Sequence, residues 1–401
     1  MTEHVHISGI GIISALGNSV DANLDALLNE RTGIGPITRL QTRHSSLYPA
    51  AEVKLVHEDL AALVAPRSIR GWSRTALLGL QAVHEALAQA GIDPTHPRTG
   101  LISASTSGGM DRSESIYKQL LNDELNAEQE QYVGTHDPGE HTERIAAELG
   151  INGFITTIST ACSSSANAIM LGSRMIRSGK LDVAIVGGSD ALSRFTVNGF
   201  HSLMILDREP CRPFDEHRQG LNLGEAAAYL VLESEAHLKA RNGKSLACVS
   251  GHANTNDAFH ITASSPNGDG AFLAMQQALL SAGLTPDAIN YINVHGTGTH
   301  NNDLSEGRAL QRLFGPAPPP FSSTKTFTGH TLGAAGAVEA VFAVLAIQHN
   351  VCFANLRFQE PMIEAPLIPV RHSLHNQRID HILSNSFGFG GNNSSLVFSA
   401  T

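Results

Sequence analysis

Short β-branched runs alternating with longer helical patterns predict an α/β fold with sheets covered on both faces. The order of these elements repeats once, which predicts two similar fused halves, residues 1–243 and 244–401. Length and composition agree, since 401 residues of 42% hydrophobic content can bury a large core and 37 glycines suit many tight turns.

The elements are predicted as follows. His4 to Gly11 reads as an opening strand through Val5, Ile7 and Ile10, and Val20 to Glu30 as a helix with Leu24, Leu27 and Leu28 on one face. A glycine-rich turn lies between them, and around Gly9-Ile10-Gly11 no third glycine or acidic partner completes a dinucleotide fingerprint. Leu77, Leu80, Val83 and Leu87 set the helical period from Ser73 to Ala90, with Ser73 as cap and Gly91 as stop. Arg67, Arg70 and Arg74 precede or open this helix and would share a face if the turn extends back. Thr99 to Ser105 is a strand running into the Ser105–Gly109 loop, and the acidic Met110 to Asp137 segment is a surface excursion. A strand from Phe154 to Ser159 stops just short of Cys162, and the small-residue pattern after it is a helix ended by Gly179.

Further strands are expected at Asp182 to Gly188, Ala226 to Glu233, Lys244 to Gly251, Tyr291 to Val294 and His381 to Asn385. Helices are expected at Gly270 to Ala282, Leu304 to Phe314 and Gly336 to Gln348, and prolines 316 and 318–320 mark a loop. The helix after His330 is as rich in small residues as the one after Cys162, and each is followed by a strand ending in glycines. Two such helices would lie side by side, bringing both helix starts to one central site. The halves share no detectable identity, so this inference rests on order alone.

Composition excludes several classes. A net charge of −10 argues against broad nucleic-acid binding and would repel an acidic partner unless a basic patch offsets it. Cys162, Cys211, Cys248 and Cys352 show no CxxC spacing, so neither a zinc site nor a disulfide framework is expected and a reducing cytoplasm fits. Met1-Thr2-Glu3-His4 lacks the basic-then-apolar order of a signal peptide. The apolar stretch Ala334 to Ile347 contains Glu339 and falls short of a membrane span.

Chemistry concentrates at four places. In Thr160-Ala161-Cys162-Ser163-Ser164-Ser165-Ala166-Asn167 a thiol opens a helix, where unpaired N–H groups and the macrodipole favour a thiolate. Val294-His295-Gly296-Thr297-Gly298-Thr299 and Ser323-Thr324-Lys325-Thr326-Phe327-Thr328-Gly329-His330 follow predicted strands, as does Phe387-Gly388-Phe389-Gly390-Gly391. Loops at strand ends are where α/β folds place their sites.

Together these segments resemble the elongating β-ketoacyl-acyl carrier protein synthases, nearly end to end and in the same order. The resemblance implies the thiolase fold, two similar halves in a five-layer αβαβα core, and dimerisation. It implies that Cys162 accepts an acyl group, that the N–H groups of Cys162 and Phe389 form the oxyanion site, and that His295 and His330 assist decarboxylation of a malonyl thioester. Lys325 would support the site through Asp303, Glu306 or Glu339. Thr297 and Thr299 resemble the threonines that hold the phosphopantetheine arm, and Phe389 the gate of the acyl channel. Ser107, on the loop that usually lines the pocket floor, and Gly390 beside the gate would contact substrate. Arg67 and Arg70 resemble the docking region for acidic acyl carrier protein. No metal or organic cofactor is implied, phosphopantetheine arriving on the carrier.

His300-Asn301-Asn302 replaces a proline found in many relatives, and Ser107 stands where an apolar residue is common. With the acidic excursion, these departures point to a specialised synthase extending polyene or polyketide-type chains. The alternative is a ketosynthase-like partner that sets chain length in a heterodimer, but such partners typically lack the cysteine. A thiolase would carry a second cysteine in place of Phe389, and a chain-initiating synthase an asparagine for one histidine.

Overall fold

The computed structural model describes residues 5–401, so the N-terminal tetrapeptide and the first residue of the expected opening strand lie outside it. Among the described residues ten strands form one sheet: β1 (Val5–Ser14), β2 (Thr99–Ala104), β3 (Ile155–Ile158), β4 (Val183–Asp190), β5 (Ala226–Ser234), β6 (Ala247–Asn256), β7 (Tyr291–Asn293), β8 (Phe321–Ser322), β9 (His381–Phe387) and β10 (Asn392–Ser399). Their order is β3-β2-β4-β5-β1-β6-β10-β9-β7-β8. Adding five to each label of the first run, β3-β2-β4-β5-β1, gives β8-β7-β9-β10-β6, the second run read from its outer edge. Directions repeat too: β2 is parallel to β3 and β4, as β7 is to β8 and β9, while β5 and β10 are antiparallel to both neighbours. Three residue pairs join the runs, Val5 with Val249, His6 with Cys248 and Ile7 with Ala247.

Helices complete five layers. Arg74–Ala90 covers β1 and β5 on one outer side, and Asp269–Ala282 covers β6 and β10 on the other. Ser73 caps the former, accepting from Ala76 N at 3.1 Å, and Gly91 ends it in the left-handed region at φ +64°. Between the two runs lie Ser164–Arg177 and Ala335–His349, which pack on each other and on strands of both halves. The small residues make that crossing possible: a Cβ at Gly336 would lie 2.8 Å from Ala166 N and 2.9 Å from Ser386 Oγ. Ala337 N donates to Ser165 Oγ at 2.9 Å across the same contact.

Every residue from Ala335 to Ile347 is buried, so apart from Glu339 this helix is apolar all round because both runs of the sheet cover it. By length and composition the segment Leu332–His349 does reach what a membrane span needs, contrary to expectation, but 89% of it is buried inside the fold. The acidic excursion contains the helix Met110–Leu121, which buries only Ile116 and exposes Tyr117, Leu120 and Leu121. Arg74 does not share a face with Arg67 and Arg70: it is buried, forked onto Glu225 at 2.7 and 3.0 Å and bonded to the Val53 and Leu55 carbonyls.

Candidate active site

Cys162 sits in the turn between β3 and its helix, with Ala161 before it at φ +52°. The C-terminal half repeats the device. Leu332, at φ +54°, stands three residues before Ala335, as Ala161 stands three before Ser164. A left-handed non-glycine residue costs roughly 1–3 kcal/mol, which the surrounding packing must offset. One turn presents Cys162 and the other His330, and His295 arrives from the loop after β7.

The Cys162 sulfur and one ring nitrogen from each histidine lie within 4.8 Å of one another. The imidazole rings stand 5.5 Å apart at 86°. All three side chains are buried at the base of a cavity of about 250 Å³ that Thr297, Thr299, Phe387, Gly388 and Phe389 also line.

Hydrogen bonds fix which ring nitrogens face the cavity as donors. Leu332 N donates to His330 Nδ1 at 3.1 Å, so the neutral ring carries its proton on Nε2. Lys325 Nζ stands 3.2 Å from His295 Nδ1, donates to the His295 carbonyl at 2.6 Å, and pairs with Glu339. Three acceptors saturate the ammonium and leave His295 with its proton on Nε2 as well. Burial, and then the nearby Lys325 charge, hold both imidazoles well below their ordinary value, so both are neutral donors. Of the three carboxylates considered for Lys325, Glu339 is the one that pairs with it. Glu306 instead accepts from His295 N at 2.9 Å and Gly296 N at 2.8 Å, and Asp303 accepts from Phe214 N at 2.8 Å and Gly298 N at 3.1 Å. Burial pushes the Glu306 carboxyl up to about 7.

The expected thiolate is not what the pocket favours. Burial pushes the Cys162 thiol up to about 11, outweighing the Lys325 charge and the opposing pull of the nearby Phe389 and Cys162 N–H groups. The helix proper begins at Ser164, two residues on, and its first turn does not compensate for the lost water. The resting group is therefore a thiol. Both N–H groups lie near the sulfur.

The remaining expected residues divide. Thr297 and Thr299 line the cavity with their hydroxyls 2.9 Å apart. Phe389 stacks on Phe200 at 5.9 Å, a partner without sequence signal. Ser107 does not line this cavity; its hydroxyl is 3.1 Å from Asp190 Oδ1, and Asp190 also accepts from Thr106 N and Gly333 N. Gly390 faces outward, its N–H bonded to the Ile261 carbonyl at 2.8 Å, and Gly388 takes its place at the cavity wall. A Cβ on Gly388 would lie 3.0 Å from Thr160 O and 3.3 Å from Cys162 N. Arg67 and Arg70 are exposed ahead of the Arg74 helix, Arg67 ion-paired to Glu148 at 3.8 Å, and neither lines the cavity.

Cys162, His295 and His330 have the makeup of a Cys-His₂ metal site. Histidines that bind metal normally donate their other ring N–H outward. Here both Nδ1 atoms face donors, so a metal at Nε2 would strip each ring of its only proton. The donor set suits developing negative charge better than a cation.

Comparison with known sequences gives two adjoining matches: the family "Beta-ketoacyl synthase, N-terminal domain" over residues 2–237, and "Beta-ketoacyl synthase, C-terminal domain" over residues 246–359. The 3-oxoacyl-acyl-carrier-protein synthase 2 of Staphylococcus aureus (strain COL) is 34% identical over 407 aligned residues, covering 99% of this chain and 98% of that protein. Among solved structures, the ishigamide ketosynthase/chain length factor superposes with a TM-score of 0.94 at 31% identity over the whole of both chains. The ketosynthase ApeO in complex with its chain length factor ApeC, from Xenorhabdus doucetiae, superposes at 0.86 with 32% identity, covering 100% of this chain and 98% of that one.

Proposed function

Because the chain belongs to the β-ketoacyl synthase family, with the thiolase fold, we propose that it condenses a Cys162-bound acyl group with malonyl-acyl carrier protein. The observation that carries this reading is one sulfur, two backbone donors and two neutral imidazoles converging on a single cavity. The Cys162 sulfur attacks the thioester carbonyl of an acyl carrier, and its proton leaves with the departing carrier thiol. The Cys162 and Phe389 N–H groups hold the tetrahedral oxyanion, each such donor contributing roughly 3–4 kcal/mol. The malonyl thioester oxygen then faces the Nε2–H groups of His295 and His330. As the carboxylate leaves as carbon dioxide, those donors stabilise the enolate, whose carbon attacks the acyl-enzyme. The new carbon–carbon bond forms as the carbon–sulfur bond breaks, the departing thiolate takes a proton from solvent, and β-ketoacyl carrier protein departs. The chain's own residues account for each step without a metal or organic cofactor.

Acyl carrier protein is the partner, its phosphopantetheine arm lying along Thr297 and Thr299 and its acidic surface against Arg67 and Arg70. The exposed apolar face of Met110–Leu121 suits a second subunit, either another copy or a ketosynthase-like chain. Residues 1–243 and 244–401 form the two similar thiolase-like halves, and four unpaired cysteines fit a reducing cytoplasm. The polar His300-Asn301-Asn302 rim, which lines the cavity mouth, supports a specialised substrate of polyene or polyketide type.

Intact-mass analysis after incubation with acyl carrier proteins tests the reaction. Wild type gains one acyl group and Cys162→Ala gains none; loading of the alanine variant would place the nucleophile elsewhere. Rates with saturated and polyunsaturated acyl carriers test the substrate class, and a clear preference for saturated chains of ordinary length removes it.

A further inference from the structure

We propose that Asn392 is the positioning residue of the oxyanion site, clasping the gate turn of the C-terminal half to the start of the nucleophile helix in the N-terminal half. This deepens the condensing-enzyme reading and rests on it. The two oxyanion donors belong to different halves, Cys162 N to the turn after β3 and Phe389 N to the turn after β9. Among the described residues no backbone hydrogen bond joins those two turns.

The side chain of Asn392 supplies the missing connection. Its Oδ1 lies 2.7 Å from Ser163 Oγ, 2.9 Å from Asn167 Nδ2 and 2.7 Å from Asn254 Nδ2. Ser163 is the residue after the nucleophile and the cap of its helix, and Asn167 stands one turn along. Asn167 Nδ2 also reaches back to Thr160 Oγ1 at 2.8 Å, before Cys162. Through its main chain the same residue closes the gate turn, its carbonyl accepting from Gly388 N at 2.8 Å. The side chain thus holds Ser163, after the nucleophile, directly and Thr160, before it, through Asn167, while its main chain closes the turn that carries Phe389. Gly388 passes close against Thr160 O and Cys162 N, so a loosened clasp has room to shift only away from the sulfur. Nothing in the Asn-Asn-Ser-Ser sequence of residues 392–395 announces this role.

The test separates a reaction that needs the oxyanion site from one that does not. Transfer of octanoyl from octanoyl-pantetheine to Cys162 passes through a tetrahedral adduct; alkylation of the same sulfur by iodoacetamide does not. In Asn392→Ala, transfer is expected to slow on the order of 100-fold, the cost of a misplacement of about 1 Å or of the loss of one donor. Alkylation should stay within about threefold of wild type, and Asn392→Asp, which keeps the accepting oxygen, should restore transfer to within about threefold. Should the alanine variant unfold, Asn392→Thr carries the same expectation, because its shorter hydroxyl cannot reach all three donors. Unchanged transfer, or transfer and alkylation slowed alike, overturns the assignment. A wild-type chain that alkylates normally yet accepts no acyl group from pantetheine or carrier thioesters contradicts the condensing-enzyme reading itself, and this proposal with it.

Discussion

In the N-terminal half the turn before the central helix carries a thiol; in the C-terminal half the corresponding turn carries an imidazole. Both turns use a left-handed residue three positions before the helix, and both helices run through the same middle layer. The surroundings differ. Cys162 is buried beside backbone N–H groups, whereas His330 and His295 are held by a buried Lys325–Glu339 pair and by donors aimed at their Nδ1 atoms. The same geometry recurs in both halves with different side chains, and the proposed mechanism gives covalent capture to Cys162 and enolate stabilisation to the two histidines.

The strongest way to sharpen that contrast is to remove a donor from the C-terminal half alone. His295→Ala should lower condensation by about 10²–10³-fold, the usual cost of one preorganised donor, while Cys162 still loads. Single-turnover condensation and intact mass together check both parts. A smaller effect is expected from Lys325→Met, which frees the His295 tautomer and strands Glu339. Turnover should fall by about 10–100-fold and stability by about 3–5 kcal/mol, the cost of breaking one side of a buried pair. Adding Glu339→Leu should recover most of the stability and none of the turnover, as denaturant unfolding and rate assays would reveal.

The N-terminal half has its own test in pH. With the thiol at about 11, only its small thiolate fraction reacts, so iodoacetamide alkylation of Cys162 should rise about tenfold per pH unit from neutral and level off only near 11. A plateau already at neutral pH would restore the thiolate expected from helix placement. Least affected should be Thr297→Val, which removes one hydroxyl from the cavity wall. It should raise KM for the malonyl carrier by about 3–10-fold with kcat nearly unchanged, in keeping with one neutral hydrogen bond.

The local punctuation of the chain was legible: Ser73 and Gly91 bound their helix, and the strand before Cys162 ends in the expected turn. The repeated strand order was legible as well, because alternation survives even where identity does not. β10 was not, since Asn392 to Ser395 looks like loop; its buried serines are satisfied by distant side chains such as Asn385, 2.8 Å from Ser395 Oγ. Within the site, residue types marked Cys162, His295, His330 and Lys325. Their ionisation depended on burial that no single stretch encodes, which is why the thiolate expectation failed. Ser107 and Gly390 lie off the cavity lining for a related reason: Asp190 and Ile261, far away in sequence, bond them elsewhere.

The division of labour meets its most direct test in the decarboxylation of malonyl-acyl carrier protein by two variants, with carbon dioxide release and acyl loading measured side by side. Cys162→Ala should still release carbon dioxide while taking up no acyl group, and His330→Ala should load acyl groups while releasing carbon dioxide about 10²-fold more slowly than wild type. Loss of both activities in either variant, or carbon dioxide release at the wild-type rate in His330→Ala, would contradict the assignment of acyl capture to Cys162 and of enolate stabilisation to the histidines.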